Sequence, residues 1–265
     1  MNIIVCIKQV PDPEAPASGY KVDSEAKRVI PPKGTPPVIN PDDESALEAA
    51  LRIKEVHESS ITVISMGHNL SRAVLGKSLA VGADNLVFLD NDVFGDLDSY
   101  ATAFILSTAI KRLEGDLILT GRLAADSNAG QVGLGIAEFL GIPSVTSAQK
   151  VESYDGRVRV ERTTPSGYEI IEAPIPALIT ITTSLGDLRT ASLQGIMAAR
   201  KKPITTWKLS DLGIELSQLS QLRRTKLLEL YPPPRRGVSC EIIQGATPEE
   251  MGANLALKIR EAKII

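Results

Sequence analysis

The chain has 265 residues, of which 43% are hydrophobic and 23% charged, and its formal net charge is −3. This balance argues against nucleic acid or an anionic membrane as the main partner. The two cysteines, Cys6 and Cys240, form no CxxC pair, which favours a reducing compartment. No apolar run approaches the roughly 18–20 residues of a membrane-spanning helix, and the N-terminus lacks a signal-peptide layout. We expect a soluble protein of a bacterial-type cytoplasm.

Strand-like and helix-like segments alternate along the first 150 residues. Asn2–Ile7 is a continuous apolar run, typical of a strand covered on both faces. After a proline-rich excursion with a small hairpin at Tyr20–Ile30, a helix is predicted from an N-cap at Asn40. The same reasoning predicts strands at 61–66, 85–89 and 116–120 and helices at 69–81, 98–113 and about 129–140. This alternation predicts an α/β fold with a doubly wound, mostly parallel sheet.

The pattern changes after residue 150. Alternating polar and apolar residues around Asp155-Gly156 predict an antiparallel hairpin with a partner strand, a small addition to the sheet. Pro176–Thr182 returns to the buried-strand type. Near the C-terminus, the prolines of Tyr231–Arg236 predict an extended segment, and a last helix follows from Pro248 to about Ala262.

The stretch Asp116–Lys150 contains a polar loop between a predicted strand and a predicted helix. This loop, Gly121–Asn128, is rich in small and polar residues. A loop at this position presents backbone N–H groups and the positive end of a helix dipole to an anionic ligand. We therefore predict that the loop binds the ligand of this protein.

Several side chains of this loop suit such a ligand. Arg122 could neutralise a phosphate, Asp126 and Asn128 could bind hydroxyl groups, and Gln131 could reach a polar group. The alternative is that Asp126 or Ser127 only caps the following helix.

Two other glycine patterns fail on position. Gly76-Lys77-Ser78 resembles the end of a P-loop, but Ser71 stands where the first glycine is required. Gly133-x-Gly135 meets Glu138 at the third glycine position of a dinucleotide fingerprint. The sequence also lacks metal-ligand spacing and a nucleophile–base constellation, so we expect neither a catalytic group nor a metal site.

Ser184–Pro203 follows the last predicted strand and combines apolar side chains with a basic end. Such a segment outside the core predicts a docking element for a partner protein, and the alternative is a helix that covers a sheet edge. The candidate docking residues are Leu185, Leu188, Leu193, Ile196 and Met197, beside Arg200, Lys201 and Lys202.

These segments together resemble the beta subunit of an electron-transfer flavoprotein. The motifs VCIKQVPD, INPDDESALEAALRIKE, SMG, LAVGAD, GRxAxDxxxxQVG and LRTASLQGIMAARKK occur in the order and spacing of that family. The resemblance implies an adenine nucleotide alpha hydrolase-like fold and a heterodimer with an alpha subunit that holds FAD. It further implies a nucleotide-binding domain over residues 1–202, with a recognition loop at 184–203, and an arm over 203–265 that packs on the alpha subunit.

The resemblance also implies roles for individual residues. Leu193 would insert into an acyl-CoA dehydrogenase or similar flavin dehydrogenase, supported by the other docking residues. The residues implied to line a nucleotide are Cys6, Asn40, Asp42, Asp43, Met66, Ser99, Thr102, Gly121, Arg122, Asp126, Ser127, Asn128, Gln131, Val132 and Gly133.

The nucleotide is AMP in one branch of the family and a second FAD in the electron-bifurcating branch. The AMP branch usually has three acidic residues where this chain has Asp126-Ser127-Asn128. The segment Asp98–Thr102 is closer to the Asp-Thr-x-Ala-Thr pattern of the bifurcating branch, although that branch often has Ile-Asp-Gly-Asp in the loop. Both nucleotides stay open, with a slight preference for FAD.

We therefore expect an electron carrier subunit rather than a stand-alone catalyst. An alternative is an ATP- or AMP-binding enzyme or sensor of the same fold, which needs a glycine-rich loop where Lys8–Asp12 reads KQVPD. A structural partner with an empty site is a third reading, disfavoured by the polar groups of Gly121–Gln131.

Overall fold

The computed structural model describes residues 1–232 and 240–264, which form two compact units, Met1–Leu230 and Tyr231–Ile265. The strands are β1 (Asn2–Cys6), β2 (Gln9–Val10), β3 (Lys21–Asp23), β4 (Arg28–Ile30), β5 (Val38–Ile39), β6 (Ser60–Gly67), β7 (Asn85–Asp90), β8 (Leu117–Gly121), β9 (Ser144–Tyr154), β10 (Arg157–Thr164), β11 (Gly167–Pro174), β12 (Ala177–Ile181) and β13 (Ile204–Trp207). The α-helices are α1 (Pro41–Val56), α2 (Arg72–Leu75), α3 (Lys77–Val81), α4 (Ser99–Leu113), α5 (Val132–Leu140), α6 (Leu193–Ala199), α7 (Leu216–Leu222) and α8 (Pro248–Glu261).

One large sheet has the strand order β11-β10-β9-β12-β8-β1-β6-β7-β13. Its neighbouring strands are parallel from β9 to β13, and antiparallel where β9 pairs with β10 and β10 with β11. The predicted α/β fold, with a mostly parallel sheet and an antiparallel addition, is confirmed. The predicted hairpin near residues 20–30 is β3-β4, which forms a separate two-stranded sheet.

Successive residues of the central strands point to two core layers on opposite faces. In β1, Ile3 and Val5 belong to the layer that contains Leu47 of α1, whereas Ile4 belongs to the layer that contains Ile105 of α4. Because both faces are covered by helices, every position of the strand can be apolar. This explains why the strand reads as an uninterrupted apolar run.

The chain changes direction across the sheet at β1. From β1 it proceeds through α1 to β6 and then β7, and it returns through α4 to β8 on the other side of β1. In open α/β sheets, such a topological switch point leaves a crevice at the carboxyl ends of the two strands, where ligands bind. The loop after β8 therefore begins at this crevice.

Three element boundaries differ from the sequence prediction. The helix predicted at 69–81 is two short helices, α2 and α3, separated at Gly76. α5 begins at Val132, three residues later than expected, because the preceding loop is held elsewhere by side chains described below. Ile204–Trp207 pairs in parallel with β7, so the sheet extends beyond residue 202 and the first unit continues to Leu230.

The second unit contains the predicted last helix. Thr247 caps α8, because its Oγ1 accepts a hydrogen bond from the Glu250 N–H at 3.2 Å, and Lys258 pairs with Glu241 at 2.8 Å. The predicted extended segment lies outside the described residues from 233 onward. In the described ranges, no helix is long and apolar enough to cross a membrane.

Helices α4 and α5 pack closely because a glycine lies at their contact. A Cβ atom on Gly135 would lie 2.8 Å from the Ala103 Cβ. This distance is shorter than a van der Waals contact, so a larger residue would separate the helices. Their packing positions the N-terminus of α5 at the switch point.

We expect Gly135→Ala to lower the free energy of unfolding by about 1 kcal/mol or more, because overpacking outweighs the gain in helix propensity. Urea unfolding would measure the change. Gly252→Ala in α8 is the matched control, because a Cβ there meets no atom within 4 Å. It should be neutral or stabilising. An equal effect of both substitutions would contradict the close packing of α4 on α5.

Candidate functional site

Three side chains at the start of α1 hold the loop that follows β8. We call Asn40, Asp42 and Asp43 the α1 latch. All three are buried, with relative exposures of 1%, 9% and 7%. Buried amides and carboxylates need hydrogen-bond partners, and the backbone of the neighbouring loops supplies them.

Asn40 and Asp43 join the ends of β1 and β8. The Asn40 Nδ2 donates to the Leu123 carbonyl at 2.8 Å, and its Oδ1 accepts from the Ala125 N–H at 2.9 Å. The Asp43 carboxylate accepts from the Lys8 N–H at 2.7 Å and from the Gly121 N–H at 2.9 Å. Asn40 occupies the N-cap position of α1 as predicted, but its side chain makes no capping bond and binds the loop instead.

Asp42 extends the latch to the end of β12. Its carboxylate accepts hydrogen bonds from the Leu123 N–H at 3.3 Å and from the Thr183 N–H at 3.2 Å. The Arg122 N–H donates to the Ile181 carbonyl at 2.7 Å. The carboxyl ends of three neighbouring strands, β1, β8 and β12, are thus fixed to one another.

Burial dominates the electrostatics of the latch. Loss of solvent raises the pKa of Asp43 to about 7, and the Asp42 carboxylate adds to this, while hydrogen bonds from Lys8 and Gly121 lower the pKa only in part. Burial also raises the pKa of Asp42. The pKa of the Cys6 thiol is raised by burial first and by Asp43 second. Cys6 is therefore a neutral, packed thiol.

Gly121 is required by the close approach of the latch. A Cβ atom there would overlap the Asp43 Oδ1 and would lie 2.8 Å from the Asp42 Cβ. At the other end of the loop, a Cβ on Gly133 would lie 2.6 Å from the Thr120 Oγ1. Gly133 is therefore packed closely against β8.

The middle of the loop is exposed beyond the latch. Asp126 forms an ion pair with the Lys8 Nζ at 2.7 Å. This ion pair connects the segment after β1 with the loop after β8. Ser127 and Asn128 are exposed, and Asn128 has a φ of 52°, a left-handed conformation that Asn tolerates.

The N-terminus of α5 has no side-chain cap. Its N-cap residue is Gln131, whose side chain makes no capping hydrogen bond, and Val132 is the first helical residue. The alternative in which Asp126 or Ser127 caps this helix is wrong, because the helix begins farther along the chain. Its first N–H groups and its positive dipole end therefore face the loop side of the crevice.

The remaining predicted site residues lie at adjoining strand and helix ends. Met66 is near the end of β6, beside β1, and packs against the core layer on the α4 face. Ser99 and Thr102 are partly buried in the first turn of α4. That turn is capped by Asp98, whose carboxylate accepts from the Ala101 N–H at 3.0 Å. The latch and the loop are in direct contact with each other through the hydrogen bonds described above.

The predicted docking residues divide between the core and the surface. Leu185 is buried and Leu188 packs against the core. Leu193 is 76% exposed, Met197 62% and Ile196 44%, and all three belong to α6. Arg200 and Lys201 follow α6 and are exposed. The segment therefore carries an apolar patch next to two cations.

Two clefts of about 590 and 620 Å³ lie away from the loop. They are lined mainly by residues 208–216 and 216–226, together with Asn91, Val93 and Leu97. We base the candidate site on the switch point instead, because buried polar groups converge there. Within residues 1–232 and 240–264, no cluster of three His, Cys, Asp or Glu side chains could hold a metal ion.

Comparison with known proteins identifies the family of this chain. A family profile described as "Electron transfer flavoprotein domain" matches residues 29–212. The electron transfer flavoprotein subunit beta of Thermoanaerobacterium thermosaccharolyticum is 42% identical over 266 residues, which cover both chains completely. The chain belongs to the electron transfer flavoprotein beta subunit family.

The caffeyl-CoA reductase-Etf complex subunit CarD of Acetobacterium woodii is 37% identical over 268 residues, again with full coverage of both chains. The electron transfer flavoprotein subunit beta of Clostridium acetobutylicum is 38% identical over 219 residues, 83% of each chain.

Some contacts of the site have no signal in the amino-acid sequence. Lys8 lies in the motif VCIKQVPD, but its pairing with Asp126 spans 118 positions. The Thr183 N–H, bound by Asp42, carries no sequence signal because any residue could supply it. The latch residues themselves are polar residues in a helix start, where capping is the expected role.

The raised pKa of Asp43 predicts a pH-dependent stability. Between its ordinary pKa of 3.8 and the folded value of about 7, the folded chain binds more protons than the unfolded chain. Stability should therefore fall as the pH rises through this window, by as much as about 1.4 kcal/mol per pH unit. Asp43→Asn removes this titration.

Urea unfolding of both proteins across the window would measure the difference. We expect the free energy of unfolding of the native chain to fall relative to that of Asp43→Asn as the pH rises. Curves that stay parallel across the window would show that Asp43 is ionised throughout.

Proposed function

We propose that this chain is the nucleotide-binding, partner-docking subunit of a heterodimeric electron carrier. Its companion is an electron transfer flavoprotein alpha subunit that holds FAD. In this proposal, the second unit of the chain packs on the alpha subunit. The observation that carries the proposal is the latched loop at the switch point of a chain of this family.

The loop suits an adenine nucleotide on chemical grounds. An uncapped helix N-terminus and the exposed Arg122 both favour phosphate groups. The exposed side chains of Ser127, Asn128 and Gln131 offer hydrogen bonds to hydroxyl groups. The remaining members of the proposed nucleotide set are Cys6, Asn40, Asp42, Asp43, Met66, Ser99, Thr102, Gly121, Asp126, Val132 and Gly133.

We propose FAD rather than AMP in this loop. The loop carries only one carboxylate in Asp126-Ser127-Asn128, and that carboxylate is already paired with Lys8. When bound, FAD supplies the chemistry of accepting and releasing electrons. The residues of this chain orient the nucleotide through the latched loop and exclude water by the burial of the latch. In this proposal, the role of the chain is to place the nucleotide rather than to make or break bonds.

The docking segment supports an electron-transfer partner. Its exposed apolar residues Leu193, Ile196 and Met197 are followed in the chain by the exposed cations Arg200 and Lys201. Such a patch fits a partner with an apolar pocket and an acidic rim. We propose that this partner is an acyl-CoA dehydrogenase or a similar flavin dehydrogenase.

Co-expression with the alpha subunit encoded by the same genome tests the heterodimer and its nucleotide. We expect a yellow heterodimer that releases two FAD on denaturation. Arg122→Ala should lower the content of one of the two FAD molecules. Arg159→Ala, on the exposed face of β10, is the matched control. One FAD and one AMP would overturn the choice of FAD, and a colourless monomer would overturn the whole proposal.

Leu193→Ala tests the docking surface. Truncation of an exposed apolar anchor should raise the KM of the dehydrogenase for the heterodimer by about tenfold or more, because the partner pocket loses its contact. Flavin content should be unchanged. Val56→Ala, which truncates an apolar side chain that is 74% exposed at the end of α1, is the matched control. Equal transfer kinetics for both variants would remove the docking assignment.

A further inference from the structure

The docking patch is carried by a long connection rather than by the core. Residues 182–203 lead from β12 to β13, two strands separated in the sheet by β8, β1, β6 and β7. Within this connection α6 has only seven residues, and none of them is buried. A helix this short is marginal in isolation, so contacts elsewhere must hold the patch in position.

A buried carboxylate of α1 holds the first half of the connection. Glu48 is 6% exposed at its side chain, and its two oxygens face Arg189. The Arg189 Nε donates to the Glu48 Oε2 at 2.9 Å, and the Nη2 donates to the Oε1 at 3.0 Å. The Arg189 N–H also donates to the Oε2, at 3.2 Å. This geometry is the bidentate pairing that a guanidinium makes and an ammonium cannot.

Two further residues of α1 complete this cluster. Glu55 accepts a hydrogen bond from the Arg189 Nη1, and the Arg52 Nε donates to the Glu48 Oε1 at 3.0 Å. The Arg52 Nη1 donates to the Leu185 carbonyl at 3.2 Å. We call Glu48, Arg52, Glu55 and Arg189 the arginine clamp. It attaches the connection to α1 through side chains and backbone together.

The charge state of the clamp follows from its pairing. Burial alone would raise the pKa of Glu48, but hydrogen bonds from Arg189 and Arg52 outweigh it and leave the pKa below its ordinary value. The pairing raises the pKa of Arg189. Removing Arg189 would leave a buried carboxylate with one remaining cation, and such a change is more disruptive than the loss of a surface ion pair.

The second half of the connection is held by α3. The Lys202 Nζ donates to the Ala83 carbonyl at 2.6 Å and to the Leu79 carbonyl at 3.1 Å, at the end of that helix. A Cβ on Gly195 would overlap the Ala80 carbonyl oxygen, so α6 lies directly on α3. The docking patch is therefore anchored on both sides, with its apolar side chains left outside.

We propose that Arg189 is a positioning residue for partner docking, which holds the patch of Leu193, Ile196 and Met197 in one arrangement through its bidentate pairing with Glu48. This inference rests on the proposed docking function. A preformed patch binds without first being ordered. If loss of the clamp reduces the docking-competent fraction to about one tenth, the apparent affinity falls about tenfold.

The experiment uses the heterodimer and an acyl-CoA dehydrogenase that reduces it. Arg189→Ala should raise the KM for the heterodimer about tenfold, with kcat and flavin content unchanged. Arg189→Lys keeps the charge but loses the bidentate geometry, so it should restore the KM only in part. Arg162→Ala, which removes an exposed ion pair with Glu169 on the hairpin, is the matched control and should change nothing.

Hydrogen exchange gives a readout independent of the partner. In the heterodimer with Arg189→Ala, the amides of residues 190–199 should exchange faster, while those of β12 and α1 keep their protection. Unchanged exchange in residues 190–199 would overturn the inference. If Arg189→Ala fails to fold, Glu55→Ala provides the test, because it removes only the exposed side of the clamp and should shift exchange and KM in the same direction by less.

A double variant separates this inference from the docking proposal. Because the docking-competent fraction multiplies whatever affinity remains, Arg189→Ala should raise the KM of Leu193→Ala by about the same factor as it raises that of the native chain. A clearly different factor in the Leu193→Ala background would overturn the positioning role while leaving the docking surface intact. No effect of Leu193→Ala alone would instead overturn the docking proposal, whatever Arg189→Ala does to hydrogen exchange.

Discussion

The buried α1 latch is the interaction on which the rest of this structure depends. Three polar side chains at the start of one helix, Asn40, Asp42 and Asp43, bind backbone groups at the carboxyl ends of β1, β8 and β12. A parallel sheet aligns its strands but leaves the loops at their ends free to vary. The latch removes this freedom at the switch point. Burial of its two neighbouring carboxylates has a desolvation cost, which raises the pKa of both. The loop can then present its outer side chains from a fixed backbone.

Most of the fold could be predicted because the signals were local. The continuous apolar strands, the start of α1 at Asn40 and the turn at Asp155-Gly156 each depend on neighbouring residues, and each was predicted from them. The extension of the sheet by Ile204–Trp207 depends on pairing with β7 residues that lie 118 positions earlier in the chain, so the short run carries no signal of its place. The start of α5 was predicted too early for a related reason, since the α1 latch and Lys8 hold the preceding residues.

The candidate site was predicted as a set of residues but not as an arrangement. Asn40 was expected to cap α1, and its position at the N-cap is correct, yet its amide binds the loop at Leu123 and Ala125. Glu48 resembles any polar residue of an amphipathic helix in sequence, and only its contact with Arg189, 141 positions later, distinguishes it. Lys202 appeared to belong to the basic end of the docking segment, but it donates to carbonyls at the end of α3. In each case a long-range contact decided the role, and periodicity carries no information about such contacts.

The connection from β12 to β13 has a mechanical consequence. It is attached to the sheet at both ends, to a strand beside β8 and to the outermost strand beside β7. A force on α6 is therefore distributed over the strands β12 and β13 and the helices α1 and α3. It does not act on a single flexible loop. Four strands lie between the two attachment points, so the connection links strands that are far apart in the sheet. The separation between α6 and the switch point is consequently set by the stiffness of the sheet. If the nucleotide and the partner bind as proposed, the distance between them is fixed in the same way.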